Sequence, residues 1–275
     1  MFLASELQRE DWTWETYLEL YSPARADQLA GDASAVYMLS PVAIEAIAEL
    51  NPDARAIAIF REPAAWIRSR HAQLLKDHVE SVRDLRTALA LEPLRREGRE
   101  LPSTAGHRPH HLQYVGNVRY SDQVARLQRA LGRDRVHVVI HEDLRSDYES
   151  VLLGISRFLG IDDSHKFERL VVNTTERRMR FQGLDRQLRA FTHGTGGYRL
   201  TKSAIRRFLP ERIRRRGVVA FRERVIFGPV PSVDWQLDRE LRVLLKPEVE
   251  RFGRMIERDL VSLWGYADLN ADENC

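Results

Sequence analysis

The sequence predicts an α/β fold: a parallel sheet flanked by helices, with a helical C-terminal part. Three observations lead there. A helix–strand–helix passage occupies residues 40–75. A second apolar strand, RVHVVIH at 135–141, lies between two helical stretches. Beyond residue 165 the strand signals fade, and 234–263 carries a long helical pattern. Apolar strands alternating with amphipathic helices describe a parallel sheet covered by its own crossovers.

Each element has a local reason. Residues 2–5 (FLAS) are short and apolar, consistent with an edge strand, and TWETYLELY at 13–21 has helical spacing. SPVAIEAIAEL, 40–50, begins with Ser40 as N-cap and Pro41 at the first helical position, and Asn51 and Pro52 stop it. ARAIAIF, 54–60, reads as a buried strand; Pro63 opens a helix running through Ile67, Leu74 and Leu75. Gly98, Pro102, Gly106 and Pro109 make 98–113 an excursion from regular structure. A helix at 119–131 places Val124, Leu127 and Leu131 on one face, and another at 146–160 groups Tyr148, Val151, Leu152, Ile155, Phe158 and Leu159 before Gly160 ends it. No internal repeat or low-complexity tract divides the chain, so residues 1–275 read as a single domain.

Composition narrows the function. Hydrophobic residues make up 43% of the 275, enough for a substantial core, and the formal net charge of +3 is too mild to indicate a nucleic-acid partner. The cationic side chains are nearly all arginine, whose planar fork of donors suits phosphate, sulfate and carboxylate. The single cysteine, Cys275, excludes an intramolecular disulfide and a cysteine metal site. No run approaches the ~18 apolar residues of a membrane span. The start, MFLASELQRED, lacks the basic and apolar regions of a signal peptide. A reducing, cytoplasmic setting fits these features.

Arg61 and Ser69 are the candidate binding residues. Ligands of a parallel sheet sit beyond the carboxyl ends of its strands, where Arg61 follows 54–60. Ser69 lies about two turns into the next helix, placed to add a neutral donor to the same anion. The alternatives are Arg61 paired with Glu62 or another acid, and Ser69 bonded to a backbone carbonyl.

The stretch FREPAAWIRS, 60–69, resembles the 3′-phosphate-binding motif of sulfotransferases that use 3′-phosphoadenosine 5′-phosphosulfate (PAPS), of the bacterial and heparan-sulfate-sulfotransferase-like kind. In that motif an Arg follows a central strand, with Pro two and Ser eight positions later, as Arg61, Pro63 and Ser69 stand. GDASAVYMLSP, 31–41, is similar to the family's approach to this strand, with Ala35 where a Pro is usual. RVHVVIHEDLRSDYESVLLGISRFLGI, 135–161, resembles its strand–EDL–helix segment, and LKPEVERFGRMIERDLVSLWGY, 245–266, its terminal helix. The resemblance implies a P-loop-NTPase-like sheet. It also implies sulfuryl transfer from PAPS to a hydroxyl or amine of a small molecule or glycan, with no metal. Arg61 and Ser69 would hold the 3′-phosphate. Glu6 would correspond to the general base of some branches, with His71 as the runner-up. Arg177 and Arg178 are further candidates for a phosphate.

The family's Gly-rich 5′-phosphosulfate loop, with its lysine, should precede GDASAVY. No lysine occurs before Lys76. The expectation is therefore a chain that is N-terminally incomplete or degenerate. The alternatives are a catalytically incomplete protein that binds nucleotide or glycan, and a P-loop kinase relative.

Other motifs have weaker claims. His107, His110 and His111 lack the spacing of a defined metal site, and HEDLR at 141–145 has Arg145 where a zinc protease needs its second His. GTGGYRLTKS, 194–203, has Thr201 rather than Gly before Lys202 and fails as a P-loop. RRFLPERIRRR, 206–216, is a solvated helix face or a surface for an anionic acceptor such as an acidic glycan, or for an anionic membrane.

Overall fold

The structure is a computed structural model that describes residues 13–25, 27–102, 109–165, 167, 177–179, 227–229 and 234–270. Its helices are α1 (Trp14–Glu19), α2 (Ala43–Leu50), α3 (Pro63–Lys76), α4 (Leu85–Ala90), α5 (Glu92–Arg96), α6 (Tyr120–Leu131), α7 (His141–Ser146), α8 (Tyr148–Leu159), α9 (Trp235–Met255) and α10 (Leu260–Leu263). Strands β1 (Ala56–Phe60) and β2 (Val136–Ile140) pair in parallel, and β3 (Arg177–Met179) pairs antiparallel with β4 (Phe227–Pro229). Among the described residues the parallel sheet is thus two strands wide. The expected edge strand at 2–5 and the basic run at 206–216 lie outside the described residues.

The core lies on one side of the parallel pair. Ala58 and Phe60 of β1 are buried, and the Phe60 ring meets Tyr120 at 4.7 Å and Phe252 at 4.9 Å between centroids. Leu237, Leu241, Leu245, Val249 and Phe252 form a buried stripe along α9, at the spacing of a helix with one apolar face. The strand at 54–60 reads as buried on both faces, yet Ile57 and Ile59 are 37% and 55% exposed. In a strand, successive side chains alternate; the main core packs on the Ala58 and Phe60 side, while on the other face burial is confined to β2, where Val139 is 4% exposed and Phe158 of α8 stacks on His137.

Helix ends follow from specific side chains. The Ser40 hydroxyl accepts from the Val42 and Ala43 amides at 3.2 and 2.9 Å, capping α2 although regular helix starts only at Ala43. Asp147 caps α8 through the Ser150 amide, and Gly160, at φ 71°, ends it with the Ile161 amide on the Ser156 carbonyl. The expected helix at 234–263 is divided into α9 and α10. At the break a Cβ on Gly253 would stand 2.7 Å from the Arg258 carbonyl, so the chain turns back at a point where only glycine fits.

Candidate anion-binding site

Phe60 and Ile140 are the last paired residues of β1 and β2, so Arg61 and His141 leave the sheet side by side at its carboxyl end. Glu62 then caps α3. Its carboxylate accepts from the Ala64 and Ala65 amides at 3.0 and 2.6 Å, with Pro63 in the first helical turn where no amide proton is needed. The same carboxylate accepts the Tyr266 hydroxyl proton and stands 3.8 Å from Arg242 Nη2. Glu62 is the acid that the sequence offers as a partner for Arg61, and it is engaged elsewhere.

Arg61 makes no ion pair among the described residues, and its Nε is buried without a hydrogen-bond partner. The Tyr120 hydroxyl is likewise buried and unpartnered. Burial, then the nearby Glu62 charge, pushes the Tyr120 phenol far up, so it stays protonated. Two buried donors near the strand end therefore lack acceptors, although buried donors are normally satisfied. His141 is held below the usual histidine range by burial first and then by the Arg61 and Arg145 charges, which Glu142 opposes.

Ser69 is half-buried, and no hydrogen bond among the described residues engages its hydroxyl. The buried face of α3 comprises Pro63, Ala64, Ile67, His71, Leu74 and Leu75. At 100° per residue Ser69 falls opposite that face, with the small residues Ala65 and Ala72. β3 runs beside α3, which brings the backbone of Arg177 and Arg178 near this helix. On its other flank α3 is tied to α9 by the ion pair of Arg68 with Asp238, and Asp238 is held within α9 by Arg242 at 3.0 Å.

Arg61 and Ser69 thus belong to one helix and its entry turn, while Glu6, GTGGYRLTKS and His107 lie outside the described residues. His71 donates through Nε2 to the Val82 carbonyl at 2.8 Å, a packing contact inside the core. His110 and His111 diverge: His111 Nδ1 accepts from Arg70 Nη2 at 3.2 Å, and His110 faces a cleft on the other side of its turn. In HEDLR, Glu142 accepts from Trp264 Nε1 at 3.0 Å and Asp143 pairs with Arg258, so both acids bind the C-terminal segment to the sheet end. Sequence reasoning missed His141 and Tyr120 as neighbours of Arg61. The REP tripeptide carried a signal for Glu62 as a cap, but nothing local pointed to Tyr266.

No family model and no curated protein matches this chain by sequence. Among solved structures, it is similar to a sulfotransferase from Alicyclobacillus acidocaldarius, with a TM-score of 0.62 over 96% of this chain and 84% of that one, at 18% identity. The likeness shows a shared fold.

Proposed function

We propose that the protein transfers a sulfuryl group from PAPS to a hydroxyl or amine. Arg61 and Ser69 hold the 3′-phosphate, and the buried Tyr120 hydroxyl lies near Arg61. The observation that carries this reading is the unpaired Arg61 at the carboxyl end of β1, in a fold shared with a sulfotransferase. A guanidinium with a buried, unpartnered Nε is matched by an anion that supplies charge and acceptors together. Glu6 is the carboxylate proposed to take the acceptor's proton as its oxygen or nitrogen attacks sulfur. PAPS supplies the sulfuryl group and leaves as adenosine 3′,5′-bisphosphate; Arg61 and Ser69 contribute by positioning the donor through its 3′-phosphate.

Calorimetry with adenosine 3′,5′-bisphosphate and adenosine 5′-phosphate tests the reading. Arg61→Ala should weaken the bisphosphate by about 1.5–3 kcal/mol and the monophosphate far less. Equal losses for both ligands would remove Arg61 from the 3′-phosphate. Bisphosphate binding without sulfation of any acceptor would identify a nucleotide-binding protein, and dependence on ATP and magnesium a kinase relative.

A further inference from the structure

Three guanidiniums and two carboxylates meet where β1 delivers the chain into α3. Glu62 is engaged by the Ala64 and Ala65 amides and by Tyr266, and Asp238 takes both Arg68 and Arg242. Arg61, Arg68 and Arg242 together exceed Glu62 and Asp238 by one positive charge. Arg61 is the member that makes no ion pair among the described residues.

Arg68 has one side of its guanidinium taken and the other open. Its Nη1 is buried against Asp238, whereas Nε and Nη2 have no partner among the described residues and reach the surface; the side chain is 30% exposed. The charges that act on it are those of the strand end. Burial first pushes its pKa down; Glu62 opposes this, and the Arg242 and Arg61 charges add to it. A helical side chain leans back toward the N-terminus of its helix, which carries Arg68 toward Arg61. Ala65 stands one turn before both Arg68 and Ser69, so a methyl group is what the helix places between them and its entry turn. Arg70 turns elsewhere, to His111.

We propose that Arg68 is a third ligand of the phosphate at Arg61 and Ser69, giving the anion its Nε–Nη2 edge while Asp238 holds Nη1. A guanidinium suits this division, because its donors form a rigid fork: one prong is oriented by a buried carboxylate and the others donate outward. A phosphate monoester offers three terminal oxygens and a charge of about −2, which matches Arg61, Arg68 and Ser69 together and offsets the excess positive charge. A carboxylate, with two oxygens and a single charge, satisfies fewer of these donors. The inference rests on the reading of Arg61 and Ser69 as a 3′-phosphate site and adds to it a residue that also ties α3 to α9.

The test is calorimetry of the full chain with adenosine 3′,5′-bisphosphate and adenosine 5′-phosphate, alongside urea unfolding of each variant. Arg68→Met keeps most of the aliphatic stem and should weaken the bisphosphate by about tenfold or more, the monophosphate far less. Arg68→Lys keeps the charge and the pairing with Asp238, so it should unfold at nearly the wild-type midpoint. Its single ammonium lacks the fork, so its bisphosphate affinity should stay about threefold or more below wild type. A residue that only ties the two helices, or acts only as a distant charge, would instead be replaced fully by lysine. Undiminished bisphosphate affinity in Arg68→Met, equal losses for the two nucleotides, or full recovery of affinity in Arg68→Lys overturns the proposal. A loss in Arg61→Ala with none in either Arg68 variant removes Arg68 and leaves the Arg61 site standing. No binding of the bisphosphate to the unaltered chain overturns both.

Discussion

The Tyr266 hydroxyl donates to the Glu62 carboxylate across 204 positions of sequence. Both residues are buried, and Arg242 stacks over the Tyr266 ring at 5.2 Å while approaching Glu62. The C-terminal segment therefore braces the cap of the helix that carries Ser69. Burial, then the Glu62 charge, raises the Tyr266 pKa, so the phenol remains a donor through neutral and mildly alkaline pH. Tyr266→Phe should destabilise the fold by about 1–3 kcal/mol, the cost of leaving a buried carboxylate short of a donor. Urea unfolding should show a lower midpoint at unchanged slope.

Arg95 and Glu80 form a second buried pair, with side chains 1% and 0% exposed and two contacts of 2.7 and 3.0 Å. Glu80 also accepts from Tyr114 at 2.8 Å and from the Ser81 and Val82 amides at 2.7 and 2.8 Å. Arg95→Met strands the Glu80 charge and should cost about 3–5 kcal/mol; adding Glu80→Gln should recover part of it. Burial pushes the Glu80 carboxyl up, but Arg95, the Val82 amide and Tyr114 outweigh it and hold it below its ordinary value. A carboxyl with a depressed folded pKa contributes stability above its unfolded pKa, about 4.3, and loses it as pH falls through the folded value. The stability difference between wild type and the double variant should therefore shrink below about pH 4. A difference that stays constant down to acid unfolding would show that Glu80 is not the titrating group.

Local signals were enough to place the elements that carry Arg61 and Ser69. Pro63 at the start of α3, the apolar run of β1 and the stripe of α9 each encode their element within a few residues. Long-range facts were out of reach. No pattern near Glu62 names Tyr266, and the pairing that sets Arg61 beside His141 depends on how β1 and β2 align. The apolar run at 56–60 suggested burial on both faces because composition alone does not say which side the helices cover.

Within the proposed phosphate site, the two residues should differ in weight and in kind. Ser69→Ala removes a neutral donor and should weaken adenosine 3′,5′-bisphosphate by about 0.5–1.5 kcal/mol, less than Arg61→Ala. Arg61→Lys keeps the charge but loses the planar fork, so its affinity should fall between wild type and Arg61→Ala. Calorimetry that ranks Lys as good as Arg would mean that Arg61 acts as a point charge, without a two-pronged contact.

His141 provides an internal reporter of that phosphate. In the free protein its pKa is depressed by burial and by the Arg61 charge. A phosphate on Arg61 would neutralise that charge and add negative charge nearby, so the His141 pKa should rise on binding. Linkage then requires that bisphosphate affinity increase as pH falls through the ligand-bound pKa and level off below the free one, by about tenfold for each unit of rise. Protonation of the phosphate itself, near pH 6, works in the opposite direction. The comparison is therefore with His141→Asn, which keeps the phosphate's own titration and lacks the imidazole. The wild type should gain affinity relative to this variant on acidification. The imidazole NMR resonance of His141 should titrate at higher pH with adenosine 3′,5′-bisphosphate than without it. A His141 titration that does not move on saturation with the bisphosphate would place the 3′-phosphate away from Arg61, whatever the affinities of the Arg61 variants.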